Sequence, residues 1–203
     1  MKKPIKATVL SFAALLSFCS CSKVADKIID KALSTNSSVG KTIEYSIKQG
    51  AQYCDQNTFK AVSVSEMKFT VKFDSTAIYK TQDPVNQYDI NKLYGFSDNN
   101  SDHHQYSARF GWRWSDGALR LFAYVYNEGS VSSKELTTIA IGTESTCSIK
   151  VLKDQYVFTV NGISQNMPRL STTEKGQGYQ LYPYFGGDET APHEIHVWIT
   201  PRP

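Results

Sequence analysis

The chain is poor in the residues that most often announce a chemistry. In 203 residues it has four histidines, four cysteines and three methionines. It contains no His-Glu-x-x-His string, no nucleophile elbow and no phosphate-binding glycine loop, so the usual signatures of zinc proteases, serine hydrolases and nucleotide enzymes are missing. No apolar run reaches the roughly 20 residues that a membrane-spanning helix needs. No internal repeat is visible, and a surplus of one charge is lacking as well. The formal net charge is +3, and three of the lysines (Lys2, Lys3 and Lys6) sit in the first six residues. Without them basic and acidic residues balance at 19 each, which removes the main electrostatic argument for a nucleic-acid partner.

The N-terminus has a clear pattern. A basic start, Met1–Lys6, leads into an apolar run from Ala7 to Phe18, the layout of a secretory signal over residues 1–20. The run ends in Ser17-Phe18-Cys19-Ser20-Cys21. A small residue directly before a cysteine resembles a lipobox, and Cys21, preceded by Ser20, is the lipid acceptor this predicts; Cys19 would place bulky Phe18 in the small-residue position. The competing outcome is ordinary signal cleavage and a free secreted protein. Lipidation implies a membrane partner through the anchor and an extracytoplasmic address, at the outer membrane or cell surface. There Cys54 and Cys147 have two open fates, one disulfide or two buried thiols.

Between anchor and domain, residues 21–58 read as a tether. Val24, Ile28, Ile29, Ala32 and Leu33 fall near one face of a helix over Ser22–Ser34, and Lys41–Gln49 is a candidate second short helix. From 59 to 203 the pattern changes to period two. Met67–Phe73 alternates, with Phe69, Val71 and Phe73 inward and Lys68, Thr70 and Lys72 outward. Further strands are expected at Tyr106–Trp114, Ala118–Tyr126, Leu136–Ile141, Cys147–Leu152, Gln155–Asn161, Tyr179–Tyr184 and Glu194–Ile199, joined by turns such as Asp116-Gly117 and Asn161-Gly162. The fold class is therefore mainly β, a single antiparallel sandwich of jelly-roll type. Thr81–His104, rich in Asp and Asn, reads as a long structured loop with one helical turn at Gln87–Lys92.

Candidate site residues come from four groupings. Alternation along 107–126 puts Phe110, Trp112 and Trp114 on one face of a hairpin, with Arg109, Gly111 and Arg113 on the other. Arg120, Phe122, Tyr124 and Tyr126 share a face of the next strand, so arginines and tyrosines gather into a platform suited to hydroxylated or acidic sugars. The late segment supplies Tyr182, Tyr184 and, beyond Gly186-Gly187, His193 at the sheet rim. Asp98, Asn100 and Asp102 alternate like the opening of a calcium loop, although His103 stands where glycine belongs and Arg109 where the closing glutamate belongs. Calcium is thus the one cofactor the sequence raises. The histidines fall in two pairs, His103-His104 and His193/His196, with spacing unsuited to a simple metal pair on a strand.

Three strings resemble a family of Bacteroidota lipoproteins of no assigned activity: Asp89–Asp98, His103–Trp114 and Leu181–Ile195. The resemblance, over residues 60–200, implies a surface lipoprotein of the kind such bacteria use for glycan capture. The chain is also similar in outline to concanavalin-like jelly rolls, including alginate-lyase-type sandwiches, but lacks the Arg-x-Glu-Leu, Gln-Ile-His and Tyr-x-Lys strings of those lyases. The leading expectation is a non-catalytic glycan-binding lipoprotein with an oligo- or polysaccharide partner. The alternatives are a lyase-type polysaccharide enzyme using Tyr, His and Arg, and a protein–protein interaction module.

Overall fold

The computed structural model describes residues 40–203, and the signal segment, Cys21 and the helix expected at 22–34 lie outside the described residues. Within them are two six-stranded antiparallel sheets. One runs in the order β1 (Ile43–Ile47), β12 (Ile195–Arg202), β3 (Glu66–Phe73), β8 (Ser145–Val151), β9 (Gln155–Val160), β10 (Ile163–Pro168). The other runs β2 (Ala61–Val64), β11 (Gly176–Leu181), β4 (Asn91–Ser97), β5 (Ser107–Ser115), β6 (Ala118–Asn127), β7 (Ser130–Ile139). The chain passes repeatedly from one sheet to the other, which makes the sandwich jelly-roll-like.

Period-two sequence drives the packing. Phe69, Val71 and Phe73 are buried as expected, as are Ile149 on the adjacent β8 and Phe158 on β9, the next strand of the same sheet. From the second sheet come Phe110, Trp112, Leu119, Leu121 and Val125. Phe69 meets Phe110 edge-on at 5.6 Å, and Phe110 meets Phe158 at 5.1 Å, so aromatic contacts join the sheets. The β5–β6 hairpin closes through Asp116 and Gly117, with φ of 53° and 71°, the left-handed pair that a two-residue turn requires.

Several expectations change. Lys41–Gln49 is not a helix: Ile43–Ile47 is the edge strand β1, paired with β12, because Tyr45 and Ile47 alternate inward. The sandwich therefore begins well before residue 59, and the tether boundary at 58 falls inside it. The segment 81–104 is not one loop. Its helical turn lies at Pro84–Tyr88, capped by Asp83, whose carboxylate accepts from the Val85 amide. Its second half is β4, between β11 and β5. A bulge between Lys92 and Gly95 and burial on both faces hide the alternation there. Cys54 and Cys147 form no disulfide; both are free and buried, and burial pushes the Cys54 thiol up to about 11.

Candidate functional site: a tyrosine-lined cleft with an unpaired arginine

The face of β5–β6 turned away from the core is the surface that alternation marked. Register places Arg109 opposite Tyr124, Gly111 opposite Phe122, and Arg113 opposite Arg120. A cleft of about 460 Å³ opens over one part of this face. The strands supply Arg109, Tyr124 and Tyr126 from the hairpin, Lys92 from β4 and Tyr179 from β11; Tyr182 and Tyr184 follow β11, and His103 and His104 come from the turn before β5. The segment after β1 adds Tyr53, Asn57, Thr58 and Phe59. Six tyrosines line the cleft, and no Asp or Glu does.

Arg109 is the least ordinary of these residues. It is 7% exposed, yet its Nε has no hydrogen-bond partner among the described residues. The phenols of Tyr124, Tyr126, Tyr179 and Tyr184 surround it, and Lys92 and His103 are close enough to feel its charge. The guanidinium carbon lies 5.5 Å from the Tyr124 ring centre, and Lys92 Nζ lies over the same ring at 4.7 Å. Lys92 donates to the Ile90 carbonyl at 2.6 Å. Burial, then the charge of Arg109, brings the Lys92 amine down to about 8, and Asp89 pulls weakly the other way. Burial pushes the Tyr124 phenol up to about 12.

At the rim, the Tyr179 hydroxyl and His103 Nδ1 are 2.8 Å apart, and the same hydroxyl accepts from the His103 amide at 3.1 Å. Burial, Arg109 and His104 hold the His103 imidazole below its usual range, so it is neutral at pH 7. His104 packs edge-on against Tyr126 at 5.4 Å. Tyr184 meets Tyr53 edge-on at 4.9 Å, and Tyr179 meets Phe59 at 5.9 Å. Tyr182 leans instead on Tyr45 and Tyr94.

The other sequence candidates lie elsewhere. Arg113 donates to the Tyr88 carbonyl at 2.7 Å and stacks over Phe122 at 4.8 Å, pinning the Pro84–Tyr88 turn to the sheet. Above Gly111 there is room only for Ile90, since a Cβ there would stand 2.4 Å from its Cγ2. Arg120 is held by Glu135 at 2.8 Å and Asp116 at 3.5 Å. His193 Nε2 bonds the Thr76 carbonyl at 2.8 Å, away from the cleft. Each is satisfied within the protein.

Asp98, Asn100 and Asp102 do not form a calcium loop. Asp98 is fully buried, and its carboxylate accepts from Arg169 Nε at 2.8 Å, Tyr156 Oη at 2.6 Å, the Asn99 and Gln177 amides at 2.7 and 2.9 Å, and Thr173 Oγ1 at 3.2 Å. Burial alone would raise this carboxyl; the Arg169 and Tyr156 bonds and the amides outweigh it and hold the group below its ordinary range. No lone pair is left for a cation. Asn100 donates to Gln177 Oε1 at 3.3 Å, and Asp102 caps the His104 amide at 2.8 Å. The network ties the segment before β11 to the end of β4 and so positions Tyr179.

Sequence reading missed Lys92, Tyr179, Tyr53 and Phe59. Tyr179 was legible, because it opens a recognised strand with Tyr182 and Tyr184 close behind. Tyr53 and Phe59 carried no signal, since nothing local says that the chain after β1 folds over the opposite sheet.

No family model and no curated protein matches the sequence. Among solved structures the chain is similar to alginate lyase AlyC3, with 8% identity over 78% of this chain and 72% of that one and a TM-score of 0.53. It is similar to the laminarinase catalytic domain of Thermotoga maritima MSB8, with 10% identity, coverage of 79% and 76%, and a TM-score of 0.51. SCLam, a non-specific endo-β-1,3(4)-glucanase of family GH16, gives 12%, coverage of 79% and 69%, and 0.51. At such identities these superpositions show a shared fold alone. The class is the two-sheet jelly-roll sandwich that also carries polysaccharide-active enzymes.

Proposed function

We propose that this protein binds a polysaccharide segment in the tyrosine-lined cleft and does so from the cell surface or outer membrane, anchored by lipid on Cys21. The observation that carries the binding reading is the cleft lining: six tyrosines and no carboxylate. Phenol rings offer flat apolar faces to sugar C–H groups and hydroxyls to sugar oxygens. The names of the structural neighbours, an alginate lyase and β-glucanases, support a polysaccharide ligand. Glycoside hydrolysis of the usual kind needs two flanking carboxyl groups, and the lining provides none. The test is glycan affinity electrophoresis of the full chain: Tyr124→Ala and Tyr179→Ala should run faster than wild type through a gel holding the bound glycan. Equal mobility of all three across a panel of neutral and acidic glycans overturns the reading. The anchor is tested separately, by loss of fatty-acid labelling in Cys21→Ala.

One contact favours a second reading, chain cleavage by proton transfer. The Tyr179 hydroxyl at 2.8 Å from a neutral His103 is a pair able to take a proton from a sugar carbon and return one to a leaving oxygen. Such an elimination produces an unsaturated sugar, so rising ultraviolet absorbance during incubation with polysaccharide supports it, and a flat trace removes it.

A further inference from the structure

We propose that the cleft selects sugar units bearing an anionic group, a carboxylate or a sulfate ester, and that Arg109 and Lys92 together form the pocket for that group. This rests on the glycan-binding reading and adds the charge class of the ligand.

A buried guanidinium without a counter-charge is costly, because the desolvation of the ion is not returned by a partner. The other arginines on this sheet face and in the core are matched. Arg120 has Glu135, Arg113 has a carbonyl and two rings, and Arg169 has Asp98. Arg109 alone faces phenols, with a buried Nε left unused. Beside it, on the same Tyr124 ring, stands a second, half-buried cation whose only hydrogen-bond acceptor among the described residues is a backbone carbonyl. Two like charges driven together in a low-dielectric site repel, as the downward pull of Arg109 on Lys92 records.

The nearby acids do not relieve this. Asp89 acts on Lys92 less than burial and Arg109 do, and it does not line the cleft. Asp102 is at the rim, engaged with the His104 amide. The missing counter-charge therefore has to come from outside the described residues. A planar carboxylate or a sulfate oxygen pair fits the Nε edge of a guanidinium. Tyr53 and Phe59, 68% and 79% exposed at the mouth, are platforms for the rings of the flanking sugars.

The experiment is calorimetric titration of the full chain with three tetrasaccharides of equal length: a uronate, a sulfated sugar and a neutral glucan. Wild type should bind at least one anionic ligand, and the neutral glucan about 10- to 100-fold more weakly, the ratio expected for a charge-assisted hydrogen bond. Arg109→Gln and Lys92→Met should each lose about 10-fold or more on the anionic ligand and several-fold less than that on the neutral one. Melting temperatures of both variants, measured alongside, separate lost binding from lost folding, and Lys92→Met carries the test should Arg109→Gln misfold. Preference for uronate or for sulfate supports the pocket in either case and names its source. Equal binding of neutral and anionic ligands, unchanged in the variants, overturns the anionic selectivity and leaves the glycan reading standing. Binding of none of the three ligands overturns both.

Discussion

Arg109 and Arg169 are both hidden from solvent, 7% and 2% exposed, in one small domain. Arg169 is enclosed by acceptors: Asp98 on Nε, Ser171, Thr173 and the Lys175 carbonyl on Nη2 at 3.0, 3.0 and 3.1 Å. Arg109 sits among tyrosines, and its buried Nε has no acceptor among the described residues. The same side chain at similar burial serves two purposes. A saturated ion pair locks the segment before β11 in place, and an unsaturated cation waits in a cleft. Burial by itself says nothing about role; the state of the donors does.

Asp98→Asn leaves the Arg169 charge buried without a counter-ion, so unfolding free energy should fall by about 3–5 kcal/mol; urea denaturation measures this, and a loss under about 1 kcal/mol would mean that the pair is not what holds the segment. The same carboxylate predicts acid behaviour. Its folded pKa lies below the unfolded one, so its contribution is present above the ordinary carboxylate range and fades as pH falls through the lower, folded value. Asp98→Asn should lack that part of the acid transition.

Arg109→Met should act in the opposite sense. Removing an unmatched buried charge should leave stability unchanged or raise it by about 1 kcal/mol, while anionic-glycan binding disappears. Thermal melting and titration on the same sample check both, and a marked fall in stability would show that Arg109 is structural after all.

A smaller effect concerns pH. Lys92, brought down to about 8, carries its charge below that value and loses it above. The other groups of the cleft that face it do not change across pH 7 to 9: Arg109 keeps the charge of a guanidinium, and Tyr124 titrates only near 12. Affinity for an anionic sugar should therefore weaken several-fold over this interval, on the order of one lost charge contact, with proton uptake on binding near pH 8. Lys92→Met should flatten the profile. The smallest effect belongs to Arg113→Ala. It frees the Tyr88 carbonyl and costs about 1 kcal/mol, and glycan mobility should stay at the wild-type value, because Arg113 lies outside the cleft.

Much of the fold was legible, and the reason is local. Strands such as β3, β6, β8 and β9 bury largely alternate residues, and alternation is a property of the chain itself. The same alternation correctly set Arg109, Tyr124 and Tyr126 on the face opposite Phe110 and Trp112. β4 was not legible, since a strand buried on both faces and broken by a bulge has no period to read. β1 was too short to separate from a helical turn. Asp98 looked like a metal ligand because its partners, Tyr156 and Arg169, lie 58 and 71 residues away in sequence.

Residue order alone determined the β class, the hairpin at Asp116-Gly117 and the sidedness of residues 107–126. Tertiary structure decided which of the polar residues on that side stay unsatisfied. Arg109 and Arg113 are four positions apart on one strand, with the same side-chain chemistry and the same outward orientation. One is matched by the Tyr88 carbonyl and the other keeps a buried Nε with no acceptor among the described residues, because hydrogen-bond partners arrive from distant segments whose approach no local pattern records.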